Sequence, residues 1–266
     1  MPASESPPPA RPAATVIVAR PGPTDAAPPE LLLLQRSRRA GFFPSAWVFP
    51  GGRVDPADHR ADRRGSVPGL PEDHHAYGIA AVRETFEEAG VWLGSGPATA
   101  TLRDRLNDRA ATLDDAPGLV AHLDRLWWWS WWITPEAEPK RYDTRFFLCL
   151  VTRDEVAHAL HDSRETVRTT WLDAAAALRR HTAGELPLAP PTFRTFQELA
   201  PLSSPAALRA AAADRRPWPI QPKLRKGPEG GVDIILPGDP LHPSPQPVAG
   251  PTRIVWRGDH WEDGRG

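Results

Sequence analysis

One cysteine, one methionine and two tyrosines occur in 266 residues. A lone cysteine excludes any internal disulfide and any zinc site built from cysteines. Cys149 sits in the apolar run FFLCLV, where a buried structural thiol is the expected reading. No stretch approaches the roughly twenty apolar residues of a membrane span. Long runs of one charge are also missing, and the formal net charge is −1. That balance argues against broad electrostatic binding of nucleic acid or of a membrane surface, though not against a local basic pocket. The start, MPASESPPPARPAA, has no apolar segment of the secretory kind, so a soluble cytoplasmic protein is expected.

Proline is abundant, with 33 residues, and hydrophobic residues make up 40% of the chain, enough for a sizeable core. Residues 1–13 read as a mobile tail. Strand patterns follow at Ala14–Ala19 and Leu31–Gln35, and a short third run, AWVFPGG, ends at Gly51 and Gly52. Residues 53–72 are charged and rich in Pro and Gly, which predicts a long loop. A helix is expected from about His74 to Ala89, stopped by Gly90. Weaker helical patterns lie near Ala98–Thr112 and Gly118–Leu126. LWWWSWWITP, DTRFFLCLVTR and ETVRTTWL read as strands, the last leading into a helix at Asp173–His181. Strands interleaved with helices over residues 14–185 predict an α/β domain. Residues 186–266 predict a C-terminal extension of short helices, a hairpin turning at Gly227–Gly231, and RIVWR as a last strand.

The segment RETFEEAG raises the chemical question. At 100° per residue, Ile79, Val82, Phe86 and Ala89 form one apolar stripe, and Glu84, Glu87 and Glu88 fall on the facing arc. Like charges one turn apart destabilise a helix by about 0.2–0.5 kcal/mol per pair. A polar face opposite an apolar stripe is what any surface helix has, and on spacing alone that reading stands. Two features weigh against it. Carboxylates at i, i+3 and i+4 can converge on a hard cation such as Mg²⁺, which takes oxygen ligands and shares them with phosphates. Paired glycines after a strand let backbone approach an ion or a phosphate closely.

FPGG followed by RETFEEAGV resembles the signature box of the Nudix hydrolases: Gly, five residues, Glu, seven residues, then Arg-Glu-aliphatic-x-Glu-Glu-x-Gly-aliphatic. Arg83, Glu84, Glu87, Glu88, Gly90 and Val91 match in order, with Thr85 where an aliphatic residue is usual. Gly52 and Arg83 stand thirty-one positions apart where the family has fourteen, and His75 occupies the place of the Glu expected eight before the Arg. The long insertion, LLLLQRS, WSWWITP, KRYDTRFFL, LAPPTFRTFQELA and LPGDPLHP together resemble the coenzyme A diphosphatase branch of that family, from about Ala14 to His242. The resemblance implies a Nudix-type α/β/α sandwich with a mixed sheet. It also implies metal-dependent cleavage of the pyrophosphate in coenzyme A or acyl-CoA, giving adenosine 3′,5′-bisphosphate and a phosphopantetheine.

By the same resemblance Glu84, Glu87 and Glu88 are expected to hold Mg²⁺ or Mn²⁺, with the Gly51 carbonyl as a further ligand. Arg83 is expected to orient Glu84. Two candidates stand for the general base, Glu84 through a metal-bound water and Glu165 in HDSRETVRTTW. Arg36, Arg38 and Arg39, with Gly52, are the candidate substrate-binding residues, the arginines for a phosphate. Phe42 and Phe43 offer either stacking on adenine or packing under the inserted loop. In the tryptophan strand, alternation puts Trp127, Trp129 and Trp131 on one face and Trp128 and Trp132 on the other. That strand offers core packing, a homodimer contact, or an acyl or pantetheine channel. Asp143, entering an apolar strand, needs Arg141 or Arg145 as a partner. The alternative functions are a Nudix pyrophosphatase for ADP-ribose or NADH, and a non-catalytic nucleotide-binding module.

Overall fold

The computed structural model describes residues 7–38, 43–227 and 231–264. In chain order come β1 (Arg11–Arg20), β2 (Glu30–Arg36), β3 (Trp47–Val48), β4 (Gly51–Arg53), β5 (Arg63–Arg64), α1 (His75–Ala89), β6 (Gly94–Ser95) and α2 (Ala100–Asn107). They are followed by β7 (Val120–His122), β8 (Leu126–Ile133), β9 (Tyr142–Leu150), β10 (Thr166–Asp173) and α3 (Ala174–Thr182). The C-terminal part holds α4 (Pro190–Leu199), α5 (Pro205–Ala213), β11 (Pro219–Ile220), β12 (Lys223–Lys226), β13 (Val232–Ile235), β14 (Arg253–Arg257) and β15 (His260–Asp263). Among the described residues no helix is long and apolar enough to cross a membrane.

A mixed sheet in the order β10-β2-β1-β9-β8-β11 divides the molecule, with β3 on β2 and β4 on β1. Its middle strands are apolar on both faces, so each face needs a cover. Val16, Val18, Leu34 and Phe147 pack beneath α1, whose stripe of Ile79, Val82, Phe86 and Ala89 is buried as its spacing predicts. Full burial of each large side chain there contributes about 1.5–3 kcal/mol relative to exposure. On the opposite face Ile17, Leu33, Phe146 and Leu148 join Phe193, Phe196 and Leu208 of α4 and α5 and Ile234 of β13. Helical layers on both faces make the expected α/β/α sandwich.

Strand β1 forks the sheet. Its C-terminal end pairs with β2 at Ala19–Leu31, whereas Ala13, Ala14 and Thr15 pair with β4 on the same edge. The Val16 N–H reaches the Pro50 carbonyl at 3.0 Å, where the two partners diverge. This fork carries Gly51 and Gly52 towards α1.

Several expectations are corrected. Arg11–Ala13, expected in the tail, belong to β1 and pair in parallel with β9. The insertion at 53–72 is built rather than looped: β5 joins β7 and β6 in a three-stranded sheet. The helical pattern at Gly118–Leu126 is instead β7 followed by a single 3-10 turn at Leu123–Arg125, because β5 and β6 supply the hydrogen bonds that a short isolated helix lacks. RIVWR, as β14, is followed by β15, which completes the antiparallel sheet β12-β13-β14-β15. A β-bulge between Trp128 and Ser130 overturns the tryptophan alternation. Trp128 and Trp131 pack on the α1 face, their rings 5.9 Å apart, while Trp127, Trp129 and Trp132 face the α4 side. The partner expected for Asp143 is present and is Arg145, while Arg141 donates to the Thr134 and Pro8 carbonyls.

Candidate active site

Helix α1 presents its carboxylates to a cleft of about 570 Å³. They are not on an open surface: Glu88 is 5% exposed, and Glu84 and Glu87 are mostly covered. Three things hold them. The Arg83 Nη1 donates to Glu84 Oε1 at 2.9 Å and to Glu87 Oε1 at 3.0 Å. The Gly51 N–H donates to Glu88 Oε2 at 2.9 Å. Gly52 lies so close that a Cβ on it would come 2.5 Å from the Glu84 carboxyl, which is why this position needs glycine.

The helix end is held with equal care. Gly90 stops α1 at φ 71°, and the last carbonyls, orphaned in any helix, find donors on other elements. Arg103 of α2 donates to the carbonyls of Glu87 at 2.9 Å and Glu88 at 3.0 Å, and Asn107 Nδ2 also reaches Glu87 at 3.1 Å. The Leu160 N–H reaches the Ala89 carbonyl, so the segment before β10 docks on the same end. Thr85, where an aliphatic side chain is usual, is fully buried because its hydroxyl donates to the Ala81 carbonyl at 2.7 Å.

The front of the box is found directly after Gly52, ahead of the extra residues. Asp58 stands six positions after Gly52, the spacing of the box's first acid counted forward from the glycine. It has no exposed surface and accepts from Arg83 Nε at 2.9 Å and Nη2 at 3.0 Å. Counting back from Arg83 lands on His75 because the extra residues lie after the acid, not before it. His75 instead contacts the Glu72 and His59 carbonyls. Asp58 also accepts from the Asp55 N–H at 2.7 Å, one half of a capping box around a single helical turn.

Glu165, predicted as a base, lines the same cleft and is exposed. Its loop is shaped by Asp162, which accepts from the N–H groups of Arg164, Glu165 and Thr166, an Asx turn legible in HDSRET but missed. Arg36 lines the cleft too, and its Nε is buried without a partner in the described structure. Arg38 is exposed in the turn after β2 and is not among the described residues that line the cleft. Arg39 and Phe42 lie outside the described residues; Phe43 lines the cleft.

Burial pushes the Glu84 carboxyl up to about 7, even with the Arg83 guanidinium beside it. Burial, then the neighbouring Glu84, carries Glu88 well above the usual carboxylate range, and burial raises Glu87 as well. Among the described residues no three acids or histidines close on one point; Arg83 and Gly51 hold the trio apart. The donor set nevertheless fits a hard dication. It is all oxygen, and three carboxylates face the single guanidinium of Arg83.

A mixed sheet between helical layers, with an REtfEEaGV helix over its forked edge, marks the Nudix hydrolase class. The chain belongs to the NUDT19 Nudix domain family, whose model matches residues 10–67 and 59–199. The acyl-coenzyme A diphosphatase NUDT19 of Gallus gallus is 31% identical over 294 residues, covering 86% of this chain and 77% of that protein. That of Homo sapiens is 31% identical over 296 residues, covering 87% and 76%. The crystal structure of a NUDIX hydrolase from Alicyclobacillus acidocaldarius matches with a TM-score of 0.66 at 29% identity, over 76% of this chain and 96% of that one.

Proposed function

We propose that this Nudix hydrolase cleaves the pyrophosphate of coenzyme A or acyl-CoA, releasing adenosine 3′,5′-bisphosphate and a phosphopantetheine or its acyl form. One observation carries the reading: a single cleft joins the carboxylates of α1 to an apolar stretch of Phe49, Trp132, Phe146, Leu224 and Ile234. A hydrophilic substrate such as ADP-ribose has no use for that stretch, whereas a pantetheine arm with an acyl chain buries against it. The named activity of the avian and human relatives agrees with this.

Glu84, Glu87 and Glu88 would hold Mg²⁺ or Mn²⁺, with the Gly51 carbonyl beside them. Such an ion supplies charge neutralisation of the diphosphate and a more acidic water. Arg83, held by Asp58, keeps Glu84 and Glu87 in place and is not free to touch substrate. Arg36 has an unpartnered Nε, its charge acts on Glu88, and it is suited to a phosphate oxygen. Glu165, exposed on a tethered loop in the same cleft, takes the proton of the attacking water; Glu84 is the alternative base. Gly52 keeps the floor of the cleft open.

The test is product analysis after incubation with coenzyme A, acyl-CoAs of increasing chain length, NADH and ADP-ribose in millimolar Mg²⁺. Turnover of the coenzyme species above the others is expected, with a preference for acylated forms. Hydrolysis of ADP-ribose or NADH alone would overturn the substrate, and no hydrolysis of any would leave a binding module.

A further inference from the structure

Four arginines line the cleft: Arg36, Arg53, Arg83 and Arg109. Arg83 is consumed by Asp58, Glu84, Glu87 and the Arg53 carbonyl. Arg36 lies on the Glu88 side. The side chains of Arg53 and Arg109 make no hydrogen bond or ion pair among the described residues, and Arg109 is exposed. A cation that no protein group partners, inside a substrate cleft, has a ligand as its natural counter-ion.

The backbone next to each is anchored at the Arg83–Glu84–Glu87 part of the cluster. The Arg53 carbonyl accepts from Arg83 Nη2 at 2.8 Å, and its neighbour Gly52 abuts Glu84. Arg109 follows two residues after Asn107, which is bonded to the Glu87 carbonyl. Arg109 also has an unfavourable backbone. It stands at φ 57° just past the end of α2, its N–H on the Leu106 carbonyl and the Ala110 N–H on the Arg105 carbonyl. That left-handed helix stop is the position where glycine is favoured and a side chain is a cost. Strain borne by a charged residue in a cleft points to a use for its side chain.

We propose that Arg109 and Arg53 form a second anion subsite, distinct from the pyrophosphate site, that takes the phosphate monoester on the ribose of the nucleotide. Two guanidinium groups match a dianionic terminal phosphate, which accepts paired N–H donors. The substrate assignment rests on the coenzyme A reading; the existence of the subsite does not. Recognition of this phosphate therefore belongs to the Glu84 and Glu87 side, leaving Arg36 for the pyrophosphate.

The experiment has two arms. Isothermal calorimetry compares adenosine 3′,5′-bisphosphate with adenosine 5′-monophosphate on the wild type and on Arg109→Gly. The wild type should prefer the bisphosphate, and the variant should lose roughly tenfold of that preference, the size of one charge-assisted contact at a solvated site. Equal binding of the two nucleotides by the wild type, or an unchanged preference in the variant, overturns the subsite. The second arm measures kcat/KM for coenzyme A and for its form lacking the ribose phosphate. Their ratio should fall towards one in Arg109→Gly and in Arg53→Ala, through KM, while the melting temperature of Arg109→Gly rises because glycine relieves the backbone. A proportional loss on both substrates would mean general damage and overturn the assignment. Failure of the wild type to cleave either coenzyme, with the nucleotide preference intact, would overturn the substrate reading alone.

Discussion

Asp58 and Arg83, twenty-five positions apart, form a two-point ion pair in which the carboxylate has no exposed surface. Through it the segment just after Gly52 reaches the helix that carries the site, because the same guanidinium holds Glu84 and Glu87. That segment, which precedes the extra residues, is thus part of the scaffold of the cleft.

Removing one partner of a buried pair leaves the other charge uncompensated. Asp58→Ala is expected to cost about 3 kcal/mol of stability, the lower end for such pairs because Glu84 and Glu87 remain. Urea unfolding measures this, and kcat should fall with it as Arg83 loses its orientation. Asp58→Glu, which restores the charge, should recover part of both.

Glu88→Gln separates chemistry from folding. Burial already disfavours the charged form of Glu88, so a neutral amide of similar size should melt within a few degrees of the wild type. Turnover should drop by roughly a hundredfold or more, as expected when a metal site loses a ligand or its support. Calorimetric titration with Mg²⁺ or Mn²⁺ should show weakened binding. Wild-type activity in this variant would remove Glu88 from the ligand set.

Gly52→Ala tests close approach. A Cβ there meets the Glu84 carboxyl at 2.5 to 2.6 Å. The obstacle is the end of a side chain, so the fold should accommodate it and the melting temperature should move little. Displacing Glu84 by about 1 Å should nonetheless reduce kcat about a hundredfold. A kinetic comparison with the wild type decides.

His181 predicts an acid limb of stability. Its Nε2 accepts from the Trp261 N–H at 2.9 Å, so the ring proton sits on Nδ1, donated to the Leu186 carbonyl at 2.9 Å. Burial, helped by nearby His260, lowers its pKa in the folded state. The unfolded chain therefore takes up the proton first as the pH falls. The contribution of the neutral ring is complete above the unfolded value near 6.5 and is lost below it, with a slope of up to about 1.4 kcal/mol per pH unit. Urea midpoints between pH 8 and pH 5 should show this limb, and His181→Gln, which can still donate and accept, should flatten it.

The elements legible in the chain are those whose signal is local. The stripe of α1 repeats every turn, Gly90 marks its end, and the runs in β1, β2 and β9 are apolar over more residues than any loop needs. The Glu trio was legible for the same reason, since helical spacing alone brings i, i+3 and i+4 to one arc. Trp129 shows where that logic stops: alternation predicts one face, and an extra residue in the pairing with β9 moves every later side chain across. The bulge is a property of two strands, and neither strand alone encodes it.

Local periodicity and turn chemistry were thus enough for an α/β domain, the helix and its acids, because those depend on neighbours a few residues away, whereas the sandwich was implied only by the family resemblance. Only the folded chain decided that Asp58 is the acid facing Arg83, that Glu165 enters the cleft from a distant loop, and that Arg38 stays outside it. Contacts between residues far apart in sequence are set by how layers stack and where strands fork, and no spacing along one dimension records them.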